Sequence, residues 1–341
     1  MSRGVAPGRA FVFSGIVTVL AWLFAEGLLA LTGTPSGPVY TWKPGIRWAM
    51  EPGLEGAAML HLESGSRFRV TTNAEGVRTS LPSTPAGDGM ETVLWLGDST
   101  IFGWGLDDGL DPPAALQRHL RTLLPPDEIR VINGGAPGYS SLQSFMFLRQ
   151  VGLAFAPSLV VLEFSLHDFR SSEQRDSRAL DASGTSRTSY FLAGHSRVYR
   201  ELRRVLLAAR GPVEGLGNGL TQSSWGQPDP RAELVRVPPD DFRSLLEAAG
   251  EIGRASGFRL VLTFPPKYHR SIPQVYLDVA EELMAQGDLV YLDYTDAFMR
   301  SGGSLPEVYL PTDPGHYSGQ GSDLVGHVLA RALVQAELIG Q

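Results

Sequence analysis

The sequence predicts an α/β protein built on a parallel sheet, with an apolar helix and a small β-rich piece ahead of it. Three observations carry this reading. Val93-Leu-Trp-Leu96 is a short apolar run closed by Gly97, the pattern of a strand buried on both faces of a parallel sheet. Similar runs recur at 129–133, 158–164, 258–264 and 289–292, with helical patterns between them, so right-handed crossovers and parallel pairing follow. Near the N-terminus, Ala10 to Ala25 carries no charge at all.

Taken in order, Arg3 and Arg9 precede that uncharged run, and Glu26 and a second apolar patch, Gly27 to Leu31, follow it. The stretch has the length of a membrane span, about 20 residues. Arginines on its short N-terminal side predict a cytoplasmic N-terminus and an extracytoplasmic remainder, that is, a single-pass protein of the cytoplasmic membrane. A cleaved signal peptide and a buried helix are the competing readings; the length of the run and the lack of a clear Ala-x-Ala site favour the anchor. Residues 1–33 are thus an anchor and 34–90 a β-rich appendage. There Arg67, Arg69 and Thr71 alternate with Phe68, Val70 and Thr72, ending in an Asn73/Gly76 turn. Residues 91–341 form the main domain. Asp111-Pro-Pro opens a helix to Leu124, with Asp capping and proline in the first turn. A second helix is expected over 140–155, a third capped by Asp240, and a closing one over 322–338. Between the third and fourth strands lies an insertion, 170–237, with an arginine-bearing helix over 196–210 that is either a solvated face or a contact to anionic lipid or glycan.

Composition excludes several functions. A net charge of −7 without a basic block argues against nucleic-acid binding. Cysteine is absent, which removes disulfides, thiol nucleophiles and a lipoprotein-type anchor. Neither His-Glu-x-x-His nor Cys-x-x-Cys spacing occurs, so no metal and no cofactor are expected. His119, His195, His269 and His327 read as surface or helix-face residues.

Ser99 falls just past the carboxyl end of a central strand, where open α/β sheets place their chemistry. A serine hydroxyl needs an imidazole to take its proton, and the imidazole needs a carboxylate to fix its tautomer. Asp313-x-x-His316, ahead of the closing helix, supplies both. Gly97-Asp98-Ser99 with Gly103, Asn133-Gly-Gly-Ala-Pro-Gly138, and Asp313 to His316 together resemble the first, second and fifth blocks of the SGNH hydrolases, also called GDSL-type esterases and lipases. That resemblance covers about residues 91 to 335. It implies a flavodoxin-like three-layer α/β/α fold with a five-stranded parallel sheet. It also implies a serine esterase that cleaves or transfers an O-acyl group, short and carbohydrate-linked by expectation, on a cell-wall or exported glycan. A lipase or thioesterase of the same fold and a non-catalytic glycan-binding scaffold are the alternatives. The implied oxyanion donors are the N–H groups of Ser99 and Gly138. The third block departs from the family's Gly-x-Asn-Asp: here it is Ser165-Leu-His167-Asp168, so His167 is expected to replace the Asn donor, with Asp168 or a carbonyl fixing its tautomer. Asp98, Asn73 and Arg78 are expected on the substrate side, the last two because membrane-anchored members carry a similar Asn-x-x-Gly-x-Arg turn.

Overall fold

The computed structural model describes residues 7–31, 39–61, 63–79, 90–126, 128–170, 234–287 and 289–340, with short pieces of 172–202. Most of the insertion, including His195 and the arginines at 200, 203, 204 and 210, lies outside the described residues.

The N-terminal run is a helix, α1 (Pro7–Leu31), whose apolar side chains from Phe13 onward, Leu20, Leu23 and Phe24 among them, are exposed on all sides. Its length and composition suit a membrane span, and a signal sequence shares both properties. Glu26, the one acidic residue in α1, accepts hydrogen bonds from Arg197 N (2.9 Å) and Val198 N (3.1 Å) and from the Ser196 hydroxyl. A piece of the insertion thus docks on this helix through a carboxylate set in an apolar surface.

Two antiparallel hairpins follow: β1 (Tyr40–Lys43) with β2 (Arg47–Met50), and β3 (Ala57–Leu60) with β4 (Arg67–Val70). The expected alternation holds in β4, where Phe68 and Val70 are buried and Arg67 and Arg69 exposed. These side chains do not close a core of their own. They pack with Met50 and Met59 against Phe102 of the main domain.

The main sheet consists of β5 (Glu91–Gly97), β6 (Ile129–Gly135), β7 (Leu159–Glu163), β8 (Arg259–Thr263) and β9 (Val290–Tyr291), all parallel, in the order β6-β5-β7-β8-β9. This is the flavodoxin-like order expected, with β5 interior, between β6 and β7. Helices cover both faces, as parallel sheets require. On one face lie α4 (Ser141–Gln150), α5 (Pro239–Ser256) and α6 (Gln274–Gln286), through Phe147, Phe242 and Tyr276. On the other lie α3 (Pro112–Leu123) and α7 (Gly319–Gln335), through Leu116, Leu120, Val325 and Leu329.

Several boundaries differ from the sequence reading. Helix 140–155 is divided: Ser140 forms a capping box with Gln143, α4 ends at Gln150, and a 3₁₀ turn, Gly152–Phe155, follows. Asp240 is not a cap; α5 starts at Pro239 with Pro238 at the cap position, since two prolines fit a first turn that needs no N–H, and Asp240 sits inside that turn. The closing helix starts earlier, at Gly319, because Ser318 accepts the Gly321 N–H at 3.1 Å. The α6 helix, not anticipated, supplies the crossover between β8 and β9.

Gly134 and Gly135 end β6, Gly134 against the side chains of β5 and Gly135 against the backbone of the turn that follows β5. A β-carbon at Gly135 would stand 2.3 Å from Phe102 N and 2.8 Å from Ile101 C, both backbone atoms. Gly135→Ala is therefore expected to lower stability by about 1–3 kcal/mol and to reduce activity further by shifting the turn that carries Ser99. Thermal midpoints and aryl-ester turnover of the detergent-solubilised chain test this; an alanine variant with unchanged midpoint would mean that the close approach is absent.

Candidate active site

The strand β5 runs out at Gly97, and the chain turns at once into a single helical turn, α2 (Ser99–Phe102). Asp98 caps it, accepting Thr100 N at 2.8 Å, and Gly103 closes it at φ 82°, a conformation that suits glycine. Ser99 is thereby held at the first helical position above the sheet. Asp313 and His316 stand ahead of the closing helix, as the sequence places them. They belong to β11 (Asp313–Tyr317), which pairs with β10 (Tyr309–Leu310). The bulge in that hairpin brings the two side chains to one place despite their odd spacing. Lys267 donates to the Pro314 carbonyl between them and lies 3.6 Å from the Tyr309 ring centroid, where burial pushes its ammonium down to about 8.

His316 Nε2 lies 2.7 Å from Ser99 Oγ, and His316 Nδ1 lies 2.6 Å from Asp313 Oδ2. Asp313 and His316 are buried; Ser99 is part-exposed. Burial alone would raise the Asp313 carboxyl, but hydrogen bonds from His316 and then His61 bring it below its ordinary value. A hydroxyl, an imidazole and an ionised carboxylate in this order can pass a proton from oxygen to nitrogen.

Gly138 sits at φ 77° in the turn after β6. Two arginine and tryptophan contacts define its orientation. Arg236 Nη1 donates to the Gly138 carbonyl at 3.0 Å, and Trp48 Nε1 donates to the Pro137 carbonyl at 3.0 Å. The peptide between Pro137 and Gly138 is trans, so a Trp48 hydrogen bond on its oxygen aims the Gly138 N–H the opposite way.

The third block is knitted to the first two through Ser165. Its hydroxyl accepts His167 N at 3.1 Å and lies 3.0 Å from Asp98 Oδ2 and 2.7 Å from the Tyr139 carbonyl, one of which it satisfies with its single proton. His167 is part-buried, with its Nε2 4.0 Å from Asp98 Oδ2. Burial, and then the charges of Arg170, Arg236 and His316, hold its imidazole well below the ordinary value, so the ring is neutral at pH 7. Asp168 does not reach it. Its Oδ1 accepts Ser141 N at 2.8 Å at the start of α4, and burial raises this carboxyl to about 8.

Arg78 and Asn73 are placed differently from Ser99, His316 and Asp313. Arg78 is buried under the nucleophile turn, donating to the carbonyls of Phe102 (2.7 Å), Gly103 (2.8 Å) and Leu106 (2.6 Å). Asn73 Oδ1 accepts Glu75 N and Val77 N within its own turn. Asp98, likewise expected on the substrate side, is buried between the α2 cap and Ser165. The remaining described histidines lie elsewhere: His119 and His327 pack edge to face at 5.0 Å, and His269 meets the Tyr291 hydroxyl at 2.9 Å.

One histidine passed over in the sequence is at the site. His61 Nε2 lies 3.2 Å from Asp313 Oδ2 and 3.5 Å from Glu63 Oε2, and these three residues bring their donor atoms within 4.8 Å of one another, the scale of a metal site. The ring does not suit a metal as it stands. Ser64 N–H donates to His61 Nδ1 at 3.3 Å, so Nδ1 is the bare nitrogen and Nε2 carries the proton. With His61 and Asp313 252 positions apart in the chain, no local spacing announces the pair.

Fold and site together define a hydrolase of ester bonds whose serine stands at the carboxyl end of β5. The family model of the GDSL-like Lipase/Acylhydrolase family matches residues 95–324, most of the chain, and the chain belongs to that family. Among solved structures it is similar to a lipase/acylhydrolase from Enterococcus faecalis, at 18% identity over 74% of this chain and 99% of the other, TM-score 0.43. A catalytic mutant of an acetylxylan esterase from Geobacillus stearothermophilus matches at 15% identity, covering 74% and 95%, TM-score 0.42. A psychrotrophic esterase from Pseudoalteromonas sp. matches at 14%, covering 72% and 98%, TM-score 0.42. No curated protein matches the sequence.

Beneath the site, Glu163 at the end of β7 is buried, and burial, with Asp98 nearby, raises its carboxyl to about 8 against a hydrogen bond from Tyr294. A folded-state value above the unfolded one means that its contribution to stability is complete below pH about 4.5 and is lost as pH rises through about 8. Glu163→Gln is accordingly expected to gain stability relative to wild type between pH 5 and pH 8.5, read from thermal midpoints. A constant difference across that range would show that Glu163 is not held protonated.

Proposed function

We propose that this hydrolase cleaves or transfers an O-acyl ester through an acyl-enzyme on Ser99. His316 takes the Ser99 proton and later protonates the leaving alcohol, while Asp313 orients His316 and balances the imidazolium. The backbone N–H groups of Ser99 and Gly138 receive the developing oxyanion, with His167 as a third donor in place of the family's asparagine. The observation that carries this reading is the continuous relay from Ser99 Oγ to His316 Nε2 at 2.7 Å and from His316 Nδ1 to Asp313 at 2.6 Å.

A short acyl group on a carbohydrate is the substrate class we favour, at a domain held outside the cytoplasmic membrane by α1. The apolar, exposed α1, with Arg3 ahead of it and Arg9 in its first turn, supports the placement. The family's extracytoplasmic members support the substrate class. Water and a sugar hydroxyl are equally competent acceptors for an acyl-enzyme.

The full chain in detergent is expected to react with a fluorophosphonate probe and to turn over aryl acetate, with rates falling steeply along a series of longer acyl chains. Ser99→Ala should abolish both without moving the thermal midpoint. Turnover within tenfold of wild type in that variant removes Ser99 as nucleophile, and faster turnover of long chains points to a lipase.

For His167, a neutral ring near Asp98 and His316 supports the donor role. His167→Ala is expected to lower kcat by at least about tenfold with KM nearly unchanged, since an oxyanion donor acts mainly in the transition state. His167→Asn should recover most of the loss. An alanine variant as active as wild type places His167 outside the hole.

A further inference from the structure

The two N-terminal hairpins and the turn after them grip the first, second and fifth blocks of the site, each with a different side chain. Trp48 of β2 holds the peptide that presents the Gly138 N–H, Arg78 holds three carbonyls after Ser99, and His61, just past β3, reaches Asp313. On these contacts we infer that the segment 39–79 is a positioning element of the active site, with His61 acting on the triad carboxylate and Trp48 on the oxyanion peptide. The inference rests on the proposed triad.

His61 is oriented for that role from behind. Its Nδ1 accepts Ser64 N–H at 3.3 Å and lies 2.7 Å from Ser64 Oγ, which in turn lies 2.6 Å from Ser66 Oγ. These contacts fix the tautomer and point Nε2–H at Asp313 Oδ2, the same oxygen that receives His316 Nδ1–H. Gly315 N donates to the other oxygen at 3.2 Å, so the carboxylate is held by three N–H groups and cannot swing away from His316. The imidazole of His61 is buried, with Trp104 beside it at 6.3 Å between ring centroids, and water does not substitute readily for it. Sharing one oxygen between two imidazoles also draws charge from the Asp313–His316 bond. His61 therefore limits how strongly Asp313 retains a proton on His316.

Trp48 is built in just as firmly. Tyr139 donates from its hydroxyl to the Trp48 carbonyl at 2.8 Å and meets its ring edge to face, and Gln143 donates to the Ile46 carbonyl at 2.8 Å. The ring comes within 3.5 Å of where a β-carbon on Gly138 would stand.

The test uses the full chain in detergent with aryl acetate, and four variants. His61→Phe keeps the ring volume and removes the donor; His61→Gln returns an N–H near the Nε2 position. His61→Phe is expected to lower kcat about tenfold with KM unchanged. The acidic limb of its kcat/KM profile should move up by about half a unit, because Asp313 then holds the His316 proton more strongly. His61→Gln should reverse both effects. Glu63, Lys267, Tyr268, Asp98 and His167 also face this group of side chains and are unchanged in each variant, so the displacement reports His61. Trp48→Phe, which removes the indole N–H and the part of the ring nearest Gly138, should lower kcat about tenfold with the limb unmoved. Ser99→Ala serves as the control for the triad itself. If it is inactive while His61→Phe and Trp48→Phe keep kcat within twofold and the limb stays in place, the inference fails and the triad stands. If His61→Phe loses activity and thermal midpoint together, with no displacement of the limb and no recovery by glutamine, His61 is only a packing residue and the inference is overturned. Wild-type turnover by Ser99→Ala would instead remove the reading on which it rests.

Discussion

The contact on which the rest depends is the 2.7 Å approach of His316 to Ser99, two side chains 217 residues apart in the chain. A hydrogen bond of that length tolerates errors of only a few tenths of an ångström, so both partners need rigid supports. For Ser99 the support is β5 and the α2 turn, clamped from below by Gly135. For His316 it is the bulged hairpin β10–β11, with Lys267 on the Pro314 carbonyl and the Ser318 cap of α7 immediately behind. Neither support is adjustable by itself. Together they fix the separation of hydroxyl and imidazole.

Buried charge around this contact is arranged in opposite senses. Asp313 is kept below its ordinary value by its N–H donors, whereas Glu163 and Asp168, more deeply buried, are pushed up to about 8. Burial raises all three carboxyls, and the depth of burial together with the donors aimed at each decides the outcome. For His167 the sign is reversed: desolvation, and after it the neighbouring cations, hold the imidazole well below its ordinary value.

How much of this was legible in the sequence depends on how local each signal is. The five strands announce themselves as short apolar runs, so the fold class could be read directly, while the sheet order came from the family resemblance; Gly97-Asp98-Ser99 and Asp313-x-x-His316 are contained within four residues each, so the three side chains that the structure brings together could be picked out as candidates. His61 could not, because what makes it relevant is its distance to Asp313, which no pattern within β3 or β4 encodes. Arg236 is similar: one arginine at the end of a long insertion gives no hint that it will hold the Gly138 carbonyl. Arg78 misled in a different way. Its turn resembles a site edge, but an arginine with its donors on buried carbonyls serves the backbone, and sequence does not distinguish the two uses. Helix α6 was visible in principle, with Tyr276, Val279, Ala280 and Leu283 on one stripe, and its omission left a parallel crossover without an element to make it.

The late position of His316 bears on when the molecule becomes an enzyme. A ribosome releases the nucleophile turn and the Gly138 loop long before the β10–β11 hairpin, and chains fold from the N-terminus as they emerge. Until residues 309–317 have paired, Ser99 lacks His316 and Asp313, the side chains that the proposed mechanism assigns to it as base and carboxylate. On that proposed mechanism the chain is silent during synthesis through the order of translation and becomes active without a cleavage.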